Sequence, residues 1–352
     1  MKNINNFILS FHGMRGIASL MVFFTHIING YVIHVDSGIG GAWSKVLSNI
    51  GVFGVEIFFF LSGFVIYKAS LRSSVKSFFM HRFWRIYPLF LLFTLFYFIS
   101  NELFVIDENK LGYVNLISNL LFLDLFLSTK SLTPNAWSLT FEVWYYIVTF
   151  FIVSYLNSKK HYVLFLFSLA ISIYLLLFYP ISMYFALGVA LSICDKRVKS
   201  KVLSINLYLL NFVQLSLLIF LVFFVSTGNK FSWVLTFDNL YGLFIPVLLF
   251  SFMVTLLSSK TLISRFLSLK QFVFFGNISF ALYLLHPYSY LISRNIISKY
   301  LVGATSNVMV FLFYLVLTSV LTLILTMIIS KYFENVVYNK MTNKNIYLGV
   351  RK

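Results

Sequence analysis

Runs of about 20 mostly apolar residues recur from one end of this chain to the other, each long enough to cross roughly 30 Å of hydrocarbon. Hydrocarbon offers no partner to an exposed N–H or C=O, so such a run satisfies its backbone internally and is helical. The alternating pattern of a membrane barrel is absent. Only 11% of the 352 residues are charged, against about 25% in a soluble domain, and 60% are hydrophobic. The chain is therefore expected to be all-α: a polytopic transmembrane helical bundle of about ten spans, near 9–28, 50–67, 86–105, 137–156, 161–179, 180–194, 205–226, 240–258, 271–291 and 307–330.

The net charge of +17 does not point to nucleic acid, because the basic residues sit in short loops between apolar runs. Of the 27 Lys and Arg, 20 fall in the segments on the N-terminal side of the membrane, 6 in the opposite segments, and Arg15 inside the first helix. That bias places both termini in the cytoplasm. Residues 114–127, VNLISNLLFLDLFL, are apolar but short and are interrupted by Asp124. Counting them as a span would put the basic loops outside, so a re-entrant or interfacial segment is expected. His12 and Arg15 break the first apolar stretch and no small-residue cleavage site follows Ile28, which favours a retained helix over a secretory signal. Cys194 is the single cysteine, so neither an intrachain disulfide nor a cysteine metal site can form, and no metal is expected.

Ionisable groups inside spans are costly and mark functional pathways. Arg15, His26, Glu142 and His286 are of this kind, with Glu56 a weaker case. Arg15 and His26 are eleven residues apart, which puts both on one face of a helix, separated by about 16 Å of rise. Arg15 then serves either as a snorkelling anchor or as part of a site. The segment after the second span, KASLRSSVKSFFMHRFWRIYP, interleaves basic and aromatic residues. It reads either as an interfacial segment held by anionic lipid or as a phosphate patch, with Arg82 and Arg85 close enough to share a helical face. Glu142 is a partner for a neighbouring hydroxyl or Trp, or else a general acid or base. His286 reads as a structural histidine, and Ser62-Gly63-Phe64 as small-residue helix packing.

Taken together, these segments resemble the acyltransferase-3 family of bacterial membrane acyltransferases. The pattern is Arg15-x10-His26; GVEIFFFLSGF at 54–64; Arg82-x-x-Arg85 before Ile86-Tyr87-Pro88; WSLTFEVWYY at 137–146; and GNISFALYLLHP at 276–287, all in family order. Glu334 matches the family's closing glutamate, but Asn335-Val336 follows where a proline is common. The resemblance implies a stand-alone transmembrane acyltransferase domain over 1–335, with a short basic cytoplasmic tail over 336–352 and no appended hydrolase-like domain. It implies transfer of an acetyl group from cytoplasmic acetyl-CoA to a sugar hydroxyl of a surface polysaccharide or lipid-linked glycan, such as lipopolysaccharide O-antigen. The setting is the bacterial inner membrane, with acetyl-CoA as a co-substrate, membrane lipid as a further partner, and no permanently bound cofactor. In that scheme Arg82, Arg85 and Arg15 hold the donor, His26 and Glu142 are catalytic, and Ser62, Trp137 and His286 support the acceptor. A transporter or flippase of envelope glycan precursors is the rival class, since intramembrane charges also mark transport pathways. A polysaccharide polymerase or ligase is a third, disfavoured by the modest outer loops.

Overall fold

In a computed structural model, residues 2–35, 42–133, 135–228, 230–233, 237–300 and 307–343 are described, and among them helices dominate and no strand occurs. The helices are α1 (Lys2–His34), α2 (Ala42–Arg72), α3 (Val75–Phe104), α4 (Tyr113–Leu120), α5 (Asp124–Leu127), α6 (Ala136–Ser158), α7 (Tyr162–Phe178), α8 (Ser182–Ser204), α9 (Leu207–Ser226), α10 (Phe244–Thr255), α11 (Leu262–Leu267), α12 (Lys270–Tyr300), α13 (Asn307–Ile329) and α14 (Asn335–Thr342). A π-helical turn, Ser330–Glu334, joins the last two.

Six of these are long and apolar enough to cross a membrane: Leu9–His34, Trp43–Arg72, Val75–Phe104, Trp137–Ser158, Leu207–Ser226 and Asn307–Thr342. Two shorter apolar helices, Tyr162–Phe178 and Leu240–Thr255, cover two more of the expected spans. The remaining two expected spans, 180–194 and 271–291, lie inside α8 and α12, which are long helices but less apolar. In α12 the reason is visible. Ser279, His286, Ser289 and Ser293 are fully buried, so its polar residues line the protein interior instead of facing lipid. In α9 the division is the reverse: Leu210, Gln214, Leu221 and Val225 are buried, while Phe212, Leu215, Ile219, Val222 and Phe223 are exposed to the bilayer side.

Contacts divide the chain into two compact units. The first comprises residues 1–72 and 148–279, the second 73–147 and 280–352. In the first unit, α2 packs extensively on α1 and α8. A Cβ at Gly63 would stand 2.2 Å from the carbonyl oxygen of Phe185, and one at Gly188 would stand 2.0 Å from that of Phe60. The two helices therefore touch backbone to backbone, as the Ser-Gly-Phe segment led us to expect. Ser192 completes the contact by donating to the Phe64 carbonyl at 2.8 Å. Gln214, fully buried on α9, donates from its amide nitrogen to the Thr255 hydroxyl at 3.0 Å.

In the second unit, residues 113–127 do not form a spanning helix. Two short helices, α4 and α5, break at Phe122, whose φ is 55°. Buried Asn119 holds the returning strand of chain: its side chain accepts from the Leu132 N–H at 2.9 Å and donates to the Lys130 carbonyl at 3.0 Å. Asp124 accepts from Thr140 at 2.6 Å and Ser131 at 2.9 Å, tying α5 to α6. Burial pushes the Asp124 carboxyl above its ordinary range, against the opposing pull of those two hydroxyls.

Helix α13 ends at Ile329, close to the expected end of the last span. The chain continues through the π turn into α14, which packs on α3, with the Tyr338 hydroxyl 3.2 Å from Nδ1 of His81. The rest of the tail, 344–352, lies outside the described residues.

Candidate active site

The predicted site residues fall into both units. Arg15, His26 and Ser62 belong to the first, and Arg82, Arg85, Trp137, Glu142 and His286 to the second.

In the first unit, α1 carries Arg15 and His26 as read from the sequence. The Arg15 guanidinium stands 5.9 Å from the ring centre of Phe58 on α2. His26 follows Thr25, whose hydroxyl donates to the Leu47 carbonyl at 2.6 Å and whose side chain meets Gly51; a Cβ there would come within 2.5 Å. The glycine thus lets α2 close onto α1 at Thr25, the residue before His26. His12, also on α1, donates from Nε2 to the Asn277 side chain at 2.7 Å, linking the HGMRG and GNIS segments. Ser62 immediately precedes Gly63, the residue at which α2 closes on α8. Glu56 is buried on α2, with the fully buried Tyr184 hydroxyl alongside its carboxyl group.

In the second unit, Arg82 and Arg85 are not in a loop. Helix α3 begins at Val75, capped by the Ser74 side chain, so both arginines lie on its third turn. Three residues apart, they diverge by about 60° around the axis, and they meet different partners. Arg85 forms an ion pair with Glu334 at 2.9 Å; the two side chains are 17% and 2% exposed. The second Glu334 oxygen accepts from Ser330 at 2.9 Å, across the π turn that swings the glutamate inward. Arg82 instead stands over two aromatic rings, 5.1 Å from the centre of Tyr146 and 5.9 Å from that of Phe78. Among the described residues no carboxylate lies within ion-pair distance of it. Its side chain borders a cavity of about 200 Å³, walled otherwise by Phe79, Phe83, Tyr87, Phe122, Val143 and neighbouring aliphatic groups.

Glu142 lies one turn before Tyr146 on α6 and accepts the Tyr146 hydroxyl proton in a short hydrogen bond. One tyrosine therefore joins the carboxylate predicted to be catalytic to an arginine predicted to bind the donor. Trp137 sits one turn earlier, edge-on to Phe141 at 6.2 Å. His286 is fully buried; its Nδ1 donates to the Leu282 carbonyl at 3.1 Å, which leaves Nε2 as the nitrogen turned to other partners. Pro287, next in sequence, has no N–H to offer the Tyr283 carbonyl one turn back. Asn135 supplies it instead, at 2.5 Å, and the Tyr283 hydroxyl closes the loop through Ser138 at 2.7 Å and the Asn135 carbonyl at 3.0 Å.

Four participants were not singled out by sequence reasoning: Tyr146, Asn135, Asn277, and Glu334 in its pairing with Arg85. Tyr146 had a local signal, being four residues after Glu142 on a helix. The other three meet their partners across long stretches of chain and had none.

A family model described as an acyltransferase domain matches residues 8–327. The chain is 33% identical over 156 residues to the acyltransferase MdmB of Streptomyces mycarofaciens; the match covers 40% of this chain and spans 39% of that relative. No solved structure matches.

Proposed function

Since the chain belongs to the acyltransferase-3 family of multi-pass membrane acyltransferases, we propose that it moves an acetyl group from cytoplasmic acetyl-CoA to a sugar hydroxyl of a cell-surface polysaccharide such as lipopolysaccharide O-antigen. In this reading it crosses the bacterial inner membrane about ten times with both termini inside. The observation that carries the proposal is the pairing of Arg82 and Glu142 through Tyr146: a cation with no carboxylate partner among the described residues and a hydrogen-bonded carboxylate, joined by one side chain. An anionic donor suits the first and a hydroxyl acceptor the second.

The chemistry is a thioester-to-ester exchange. The sugar hydroxyl oxygen attacks the thioester carbonyl carbon, the carbon–sulfur bond breaks, and the hydroxyl proton ends on the departing thiolate. His26 is assigned the transfer of that proton as general base, or the transient carriage of the acyl group. Glu142 orients the hydroxyl, with Ser62, Trp137 and His286 in support. The phosphates of CoA are assigned to Arg82 and Arg85, with Arg15 as a further contributor. Of the three, Arg82 carries most, because Glu334 already compensates Arg85.

The test is thiol release from acetyl-CoA by the purified protein in liposomes, supplied with envelope glycan extract, together with mass spectrometry of surface glycans with and without the gene. Thiol release and a loss of one acetyl unit per glycan repeat are expected. Substrate-independent background rates and unchanged glycan masses would remove the assignment.

A further inference from the structure

We propose that Tyr146 is a positioning residue with two separable duties: its ring seats the Arg82 guanidinium, and its hydroxyl fixes the Glu142 carboxylate. The proposal rests on the acyl-transfer reading above and adds a residue that the reading does not itself require.

The geometry assigns each duty to a different part of one side chain. Tyr146 is buried at 7% exposure, so its position is set by packing on α6. Glu142 lies four residues earlier on the same helix face, within reach of the hydroxyl, and receives its hydrogen bond. The π face, not the hydroxyl, faces α3 and lies 5.1 Å from Arg82 Cζ. A guanidinium over an aromatic face is held by the ring's negative quadrupole without losing its N–H donors to a carboxylate. Phe78, one turn earlier on α3, offers a second ring at 5.9 Å. Among the described residues no carboxylate takes the Arg82 donors, which stay available to an anion, while the cavity that the side chain borders is itself almost wholly apolar. Arg85 contrasts with it: three residues on, it is occupied by Glu334.

A tyrosine that merely filled space would have its hydroxyl satisfied by any acceptor and would not bear on donor and acceptor steps separately. The two-part role makes them separable. In Tyr146→Phe the ring stays and the hydroxyl goes. CoA affinity should stay within about twofold of wild type, while kcat falls about ten- to a hundredfold, the worth of one hydrogen bond to a charged group. In Tyr146→Leu both are lost. The fall in kcat should recur, and CoA should also bind about three- to thirtyfold more weakly, matching the range of a cation–π contact. In Arg82→Ala background, Tyr146→Leu should cost no further CoA affinity.

The experiment measures CoA binding by titration calorimetry and thiol release from acetyl-CoA in liposomes, for wild type and each variant at equal folded amount. Wild type without thiol release disposes of the acyl-transfer reading itself. With wild type active, a Phe variant retaining wild-type kcat overturns the hydroxyl role. Equal CoA affinity in the Leu and Phe variants overturns the ring role. Should the Leu variant not fold, the nearly isosteric Phe variant decides alone, since a purely structural tyrosine predicts no change in kcat per folded molecule.

Discussion

Removing Glu334 should destabilise the second unit more than any nearby surface change, because it strands a buried guanidinium. The ion pair to Arg85 is 2.9 Å long, Glu334 is almost fully enclosed, and its other oxygen is taken by Ser330. Solvent therefore does little to screen the pair. Deleting one member of a buried pair typically costs about 3–5 kcal/mol, since the other is left uncompensated. Arg85 retains 17% exposure and the Phe280 ring 5.9 Å away, which places Glu334→Ala near the lower end, about 3 kcal/mol. Arg85→Met should cost a similar amount. The double variant Arg85→Met/Glu334→Ala should lose far less than the sum, because an apolar replacement of both partners leaves no desolvated charge. Unfolding of the four proteins by SDS in mixed micelles gives the coupling energy directly. Single-variant losses that add to within about 0.5 kcal/mol of the double would refute the buried pair.

Four further outcomes are expected. His26→Gln keeps a hydrogen bond but carries no proton at neutral pH, so acetyl transfer should fall at least 10²–10⁴-fold at equal membrane abundance; near-normal transfer would move the catalytic role elsewhere, Glu142 first. Gly63→Val should lower unfolding stability by about 1–3 kcal/mol, since its Cβ would stand 2.2 Å from a backbone oxygen that cannot rotate away, and a melting temperature equal to wild type would contradict the close α2–α8 contact. Asn135→Ala should cost about 1–3 kcal/mol in wild type but much less in Pro287→Ala, where a helical N–H again reaches the Tyr283 carbonyl; equal costs in both backgrounds would break the proposed linkage. Asp124 has a folded-state pKa raised by burial, so its contribution to stability is full below the unfolded value of about 3.9 and is lost as pH rises through the folded value. Asp124→Asn should therefore gain stability relative to wild type as pH rises from about 4 toward neutrality, and a constant difference across that range would count against it.

What the sequence determined by itself is what hydrocarbon dictates locally. An apolar run in lipid has no alternative to a helix, so α1, α2, α3, α6, α9 and α13 were legible from length and composition alone. The interruption at Asp124 likewise marked 114–127 as unable to span, and Arg15 and His26 share α1 because helical spacing is fixed within a single element. The tertiary structure decided which groups meet. Arg82 and Arg85 are chemically identical and three residues apart, yet a rotation of about 60° gives one to aromatic rings and the other to Glu334, nearly 250 residues further on. The helical start of α3 at Val75 was hidden because its polar first turns carry no membrane signal, and capping by Ser74 with packing against α14 sets it. The bond from Asn135 to Tyr283 exists only because a proline on another helix leaves a carbonyl open at that spot. Local physics fixes elements; pairings across long separations depend on which helix faces are brought together, and a linear pattern does not carry that information.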